Sequence, residues 1–183
     1  MAEFIQKHKL FSFYSALMIV VVLIAIFAPW LAPGDAFSSN LSQALQAPSS
    51  QHWFGTDKLG RDVLSRIIYG TQLSLFMGVS IVVIMVSIGT IIGAIAGYFG
   101  GKVEMVLMRL ADIMLSFPGI VLAIAIAGIL GGSIVNTILA LSVVGWAKYA
   151  RLVRSMTLKV RGEEYVTAAV MMGASTTTIL RRH

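Results

Sequence analysis

Three long stretches of this chain carry no charged residue: positions 10–28, 73–97 and 113–147. A membrane-crossing helix needs about 20 mostly apolar residues to traverse about 30 Å of hydrocarbon, so the first two stretches each predict one span. The third is too long for a single crossing, and Gly131-Gly132-Ser133 is the turn that divides it. Starting the third span near Met105 gives spans at 105–130 and 134–153, the latter requiring Lys148 and Arg151 to reach back toward the headgroups. Pro118 predicts a kink within the third span. Arg109 and Asp112 fall one helical turn apart near its membrane edge, where a charge costs less than at the centre; they read equally well as a structural or a functional ion pair. The expectation is an all-α, polytopic membrane protein with four transmembrane helices in this chain, followed by short cytoplasmic helices.

The distribution of Lys and Arg orients these spans. With the N-terminal tail (1–9) in the cytoplasm, the inner side holds Lys7, Lys9, Lys102, Arg109, Lys148, Arg151, Arg154, Lys159, Arg161, Arg181 and Arg182, against Lys58, Arg61 and Arg66 outside. A cleaved signal peptide is the alternative for the first run. That run exceeds the roughly 7–15 apolar residues of such a segment and lacks a clear small-x-small cleavage site. Composition agrees with the membrane reading: 57% of residues are hydrophobic and 12% charged, with a mean hydropathy of +0.87. The net charge of +6 does not point to nucleic acid, because the basic residues sit beside apolar runs. The absence of cysteine removes disulfides, thiolate metal sites and cysteine nucleophiles.

The loop at 29–71 reads His52-Trp53-Phe54-Gly55-Thr56-Asp57-Lys58-Leu59-Gly60-Arg61-Asp62 in its second half, then Ser65-Arg66. Thr56 or Asp57 can cap a short helix there, with Asp57–Arg61 and Asp62–Arg66 as pairs at four-residue spacing. Such a helix is either a solvated, self-paired element on the outer membrane face or part of a binding surface. Span two carries Gly89, Gly93 and Gly97 on one helical face, a pattern that lets another backbone approach closely, within this chain or in a partner.

After the last span, Glu163 and Glu164 suit the first turn of a helix, and Gly173 is a natural C-terminal break. Ser175 can cap a second helix ending at Arg181 and Arg182. Ala169 and Gly173 make a small-residue notch. The segment either docks another protein or rests on anionic lipid through its basic residues. Signals of catalysis are missing: no phosphate loop occurs around Gly101-Lys102, and His8, His52 and His183 lack metal-ligand spacing. The ten methionines read as apolar filler. Ser80, Ser87, Thr90, Ser116, Asn136, Thr137 and Ser142 are the polar span residues available to line a path.

Together these motifs resemble a known family, the permeases of bacterial ABC importers. Thr167-Ala168-Ala169 followed by Gly173 is similar to their Glu-Ala-Ala…Gly coupling loop, with Thr167 in place of the acidic residue. Gly55, Thr56, Asp57, Gly60, Arg61, Asp62 and Arg66 resemble the outer-loop signature of the C-type subunit of dipeptide, oligopeptide and nickel importers. Asp112 with Ser116-Phe117-Pro118, and Trp146, Tyr149-Ala150-Arg151 and Val153-Arg154, fit the same group. The resemblance implies six spans in a full family member, so this chain looks truncated within the coupling loop (154–183), with a partial permease domain over 72–183. It implies a bacterial cytoplasmic membrane, no enzymatic role, no cofactor, and peptides or nickel chelates as cargo. The implied partners are a second permease subunit, ATP-binding subunits and an extracytoplasmic solute-binding protein. ATPase docking is carried over to Glu163, Glu164, Tyr165, Thr167, Ala168, Ala169, Gly173 and Ala174. The competing class is a channel or secondary-transporter fragment without an ATPase partner; spans uncharged at mid-depth weigh against ion coupling.

Overall fold

The computed structural model describes residues 9–173 together with 178 and 179. Among them every regular element is helical: α1 (Lys9–Ile26), α2 (Ala28–Leu31), a single 3-10 turn (Leu41–Gln43), α3 (Val63–Phe99), α4 (Gly101–Ser116), α5 (Gly119–Leu130), α6 (Ile134–Arg161) and α7 (Glu164–Met171). Contacts group these into two units, Met1–Gly78 and Val79–His183. By length and composition α1 and α3 can each cross a membrane, and α4 with α5 make a third span if taken as one bent element. The all-helical architecture expected from the sequence is found; against the four spans expected, two helices and one bent pair are long and apolar enough to span among the described residues, and α6 is not one of them.

In the first unit, α1 exposes apolar side chains around its whole circumference and buries only Ala25, as a helix surrounded by hydrocarbon does. Pro29 sits in the first turn of α2, where its missing N–H costs nothing. The loop beyond is folded, and α3 begins at Val63, ten residues before the expected start of span two. Leu64, Ile67 and Ile68 continue the helical apolar spacing backwards, and Asp62 caps the new start by accepting from Ser65 N–H at 2.7 Å.

The second unit is organised by a seam between α3 and α6. A Cβ added at Gly89 would lie 2.5 Å from Tyr149 Cβ and 2.8 Å from the Trp146 carbonyl. At Gly93 it would meet the Ala150 carbonyl and Val153, and at Gly97 it would lie 2.7 Å from Thr157 Cβ. Met85 completes the row by lying over Gly145. Position 85 thus meets 145, 89 meets 146–150, 93 meets 150–154 and 97 meets 154–157. Both sets of numbers rise together, so α3 and α6 run parallel, and α4 with α5 must carry the chain back along the seam. A re-entrant pair returning to its starting level would have left α6 antiparallel.

Two expectations for this unit need correction. The span at 105–130 is not one kinked helix but two, related by a bend of 90°. Pro118 offers no N–H and forces its predecessor out of helical space: Phe117 is extended (φ −95°, ψ 146°), and helix resumes with Leu122 N–H donating to the Pro118 carbonyl. The segment 154–161, expected to begin a loop after a span ending at 153, instead continues α6 without interruption, because no helix breaker occurs before Gly162. Ser133 caps α6 by accepting from Asn136 N–H, and Asn136 Nδ2 donates back to the carbonyls of Leu130 and Gly131, which fixes the α5–α6 turn. Ala111 of α4 packs with Trp146, Ala147 and Ala150 of α6 in the core.

The seam predicts a sharp contrast between glycines. Gly93→Ala should lower the stability of the detergent-solubilised protein by about 1–3 kcal/mol through overpacking, whereas Gly78→Ala, with open space around its Cβ position within α3, should keep or raise the thermal midpoint.

Candidate functional site

Two places gather the residues singled out by sequence. The first is the 29–71 loop. Gly55 and Gly60 adopt φ of +72° and +73°, and an added Cβ would collide with the backbone at Gln46 and Asn40 respectively, so both turns require glycine. Between them the chain forms a turn closed by the Thr56–Asp62 bridge, not the expected short helix. Asp57 explains the difference. Its carboxylate accepts from Leu59 N–H at 2.8 Å, Arg61 N–H at 3.0 Å and Arg61 Nε at 2.9 Å, and also pairs with Arg66. An aspartate that captures neighbouring N–H groups this way competes with helix formation.

The second expected pair, Asp62 with Arg66, is replaced by a different one. Asp62 is buried; it caps α3 through one oxygen and meets His52 Nδ1 at 3.0 Å through the other. Thr56, also buried, accepts from Gln46 N–H at 2.8 Å and donates to the Gln43 carbonyl. Gly34 N–H donates to Ser65 Oγ at 2.9 Å. Gly55, Thr56, Asp57, Gly60, Arg61, Asp62 and Arg66 therefore belong to one hydrogen-bonded knot. Ser65, which the sequence reading quoted with Arg66 in the same signature, joins it too, whereas His52 and Gly34 are members that reading did not connect; no spacing rule links positions ten or thirty apart.

Three carboxylates in this loop are held acidic. The Arg61 side chain, above all, keeps Asp57 well below the ordinary carboxylate range. Asp35 is lowered to about 2, chiefly by the Ser38 hydroxyl at 2.6 Å and then by the Ser38 and Phe37 N–H groups. For Asp62 burial opposes ionisation, but the donors on Ser65 and His52 outweigh it and the net direction is downward.

The second place is α7. Glu163 stands at its N-cap, and Glu164 lies in the first turn, where negative charge meets the positive end of the helix dipole. Val166 and Ala169, three apart, face inward and are buried. Val166 and Ile179 share a cleft of about 240 Å³ with Thr90, Ala94 and Tyr98 of α3 and with Val153 and Val160 of α6. Glu164, Thr167, Ala168 and Met171 form the exposed face, Met171 at 83% exposure, and Tyr165 is half exposed. Ala169 therefore does not belong to an open notch with Gly173: its face is the one α7 uses to seat itself. Gly173 has open space around its Cβ position and a φ of +83°, so glycine is needed there for backbone conformation and not for clearance. Ala174, Ser175, Arg181, Arg182, Lys7, His8 and His183 lie outside the described residues.

Between α4 and α6 two ion pairs cross: Glu104 with Arg154, and Asp112 with Arg151. Asp112 thus finds its partner on α6 and not in Arg109, the neighbour proposed from sequence. Four turns of helix separate Glu104 from the position that Pro118 breaks, and no local pattern signalled either cross-helix pair.

The acidity of the loop carboxylates fixes a pH window. A lowered folded pKa contributes stability that is fully present above the unfolded value near 3.9 and disappears as pH falls through the lowered values. Trypsin resistance at Lys58 and Arg61 should hold from pH 8 down to about 5 and be tested below that with a protease active in acid; Asp57→Ala should expose both sites at neutral pH. Opening between pH 7 and 5 would contradict the knot as described.

Comparison with known proteins matches two stretches of the chain to family models, one including α7 and the other ending before the Gly55–Arg66 knot. Residues 89–183 match the family described as the binding-protein-dependent transport system inner membrane component, and residues 5–48 match the N-terminal TM domain of oligopeptide transport permease C. The dipeptide transport system permease protein DppC of Alkalihalophilus pseudofirmus is 43% identical over 98% of this chain and 59% of its own length. The oligopeptide transport system permease protein OppC of Bacillus subtilis is 36% identical over 97% of this chain and 58% of its own. The glutathione transport system permease protein GsiD of Escherichia coli O157:H7 is 44% identical over 91% of this chain and 55% of its own. The chain thus spans a little over half the length of these relatives. Its apolar helices, its glycine seam and a family match over its C-terminal half converge, and the chain belongs to the binding-protein-dependent transport system inner membrane component family.

Proposed function

We propose that this chain works as part of a C-type permease subunit in an ATP-driven importer of short peptides, in the bacterial cytoplasmic membrane. The family is a transport component and not an enzyme. The relatives described above are named for dipeptides, oligopeptides and glutathione, all peptidic, which favours peptides over the nickel chelates also considered from sequence. The channel or secondary-transporter alternative has no counterpart among them.

The observation that carries the reading is the seating of α7. Val166 roots this helix in the cleft between α3 and α6, while Glu164, Thr167, Ala168 and Met171 face outward. A short helix rooted in two long ones and open on its far side is suited to transmit a push. In the proposed cycle, an ATP-binding subunit docks on that open face together with Glu163, Tyr165, Gly173 and Ala174. Closure of the ATPase pair moves α7, and α3 and α6 follow as one body because their backbones are locked at the glycines. A second permease subunit completes the pore. By the positive-inside distribution, α7 is cytoplasmic and the Asp57 knot extracytoplasmic, where it would meet a solute-binding protein. Spans are assigned to α1, the apolar part of α3, α4 with α5, and the first part of α6.

Ala168→Trp, tested in the full-length protein within its assembled complex, should place an indole on the docking face and reduce ATP-driven peptide uptake at least about ten-fold while membrane insertion is unchanged. Full uptake in that variant, or gradient-driven flux without any ATPase subunit, would refute the docking role.

A further inference from the structure

The elbow between α4 and α5 lies at a depth where an exposed break in the backbone needs an explanation. Between Ser133 and Arg154, α6 rises about 31 Å, close to the hydrocarbon thickness of a bilayer. A Cβ on Gly119 would lie 3.5 Å from Val144 Cγ1, and Val144 is midway along that length. The elbow is therefore near the midplane.

There, Ser116, Phe117, Pro118, Gly119 and Ile120 are all exposed. Helical pairing in α5 begins only with Leu122 N–H on the Pro118 carbonyl, so the N–H groups of Gly119, Ile120 and Val121 have no intrahelical partner. Broken backbone facing lipid is not tolerated; at membrane depth it occurs where protein covers it or water reaches it.

A second observation selects water. Glu104, Asp112 and Ser116 lie on one stripe of α4, and a groove of about 540 Å³ is lined by Glu104, Met108 and Asp112 with Arg151 and Arg154 of α6. The side chains of Asp112 and Arg151 are 44% and 51% exposed. Charges left this open keep their hydration, which sealing them under an apolar partner surface would strip. The opposite face of α4 differs: Val103, Val106 and Leu110 are exposed and apolar, with Lys102 at its inner end.

Resting on the importer reading, we infer that this groove and the elbow at 116–119 form one hydrated wall of the translocation path, from its inner mouth to mid-membrane, along which a polar solute passes. Ser116 and the first-turn N–H groups of α5 supply its upper hydrogen-bonding groups, and the Glu104–Arg154 and Asp112–Arg151 pairs its lower ones.

The chain has no cysteine, so single thiols can be read without background from it. In inside-out vesicles holding the full-length protein in its complex, with the partner subunits and any residues of the protein outside this chain freed of reactive thiols, Met108→Cys, Ser116→Cys, Val106→Cys and Leu110→Cys are exposed to a charged, membrane-impermeant methanethiosulfonate, with and without ATP. Because only a hydrated thiolate reacts, Met108→Cys and Ser116→Cys should be modified at least about ten-fold faster than Val106→Cys and Leu110→Cys in one nucleotide state. Ser116→Cys replaces one small side chain by a near-isostere, so its folding is not at issue. Modification of Ser116→Cys no faster than Val106→Cys in both states would overturn the inference. ATP-driven peptide uptake is read on the same vesicles. Fast Ser116→Cys modification without such uptake would keep the wall and remove the importer reading; uptake with an inert Ser116→Cys would do the reverse.

Discussion

Close approach of two parallel backbones, α3 and α6, is the constraint on which the rest of the second unit depends. In lipid there is no hydrophobic drive to bring helices together, so association rests on packing, and packing at backbone distance requires glycine. Gly89, Gly93 and Gly97 supply it on α3, and Gly145 returns it on α6 beneath Met85. Once these two helices are locked in parallel, the path of the chain between them is determined. The chain leaves α3 at one end of the seam and must enter α6 at the other, so α4 and α5 together carry it back along the seam despite their 90° bend. The same locking creates the cleft that receives Val166 and thereby positions α7.

Much of this was legible in the sequence because it follows from short-range rules. Charge-free runs gave the apolar helices, the four-residue glycine spacing gave the seam's face, and Gly131-Gly132-Ser133 gave the α5–α6 turn. What was not legible depends on partners distant in sequence. Asp57 and Arg61 have the spacing of a helical pair, yet Gly55 and Gly60 stand in left-handed conformations and Asp57 takes the N–H groups a helix would need. Asp62 was matched with Arg66 by spacing, while its real neighbours are His52 and the cap of α3. Pro118 announced a distortion but not its size, since the angle is set by how each half packs on α6. Ala169 and Gly173 looked like one notch by periodicity; burial separates them, one facing the protein and the other needed for its dihedral angle.

The two units divide the physical work differently. The loop in the first is held by polar interactions: each carboxylate has several donors, the buried polar side chains are Thr56, Asp62 and Ser65, and the arrangement keeps its charge over the whole neutral range. The second unit is held by backbone proximity and small side chains, and among the described residues its ion pairs lie between α4 and α6. Under the importer reading this separation is useful, since a receiving surface must hold its shape while the helices that open a path must move together as a block.

The parallel register of α3 and α6 is the claim tested most directly, by disulfide trapping in the full-length protein in its native membrane. Cysteines replacing Gly97 and Thr157 should cross-link on mild oxidation, and cysteines replacing Gly97 and Gly145 should not, because the latter pair lies about 18 Å apart along α6 from the first. Cross-linking of the 97–145 pair in place of the 97–157 pair would mean that the helices run in opposite directions, and the account of the crossing, the cleft and α7 would fall with it.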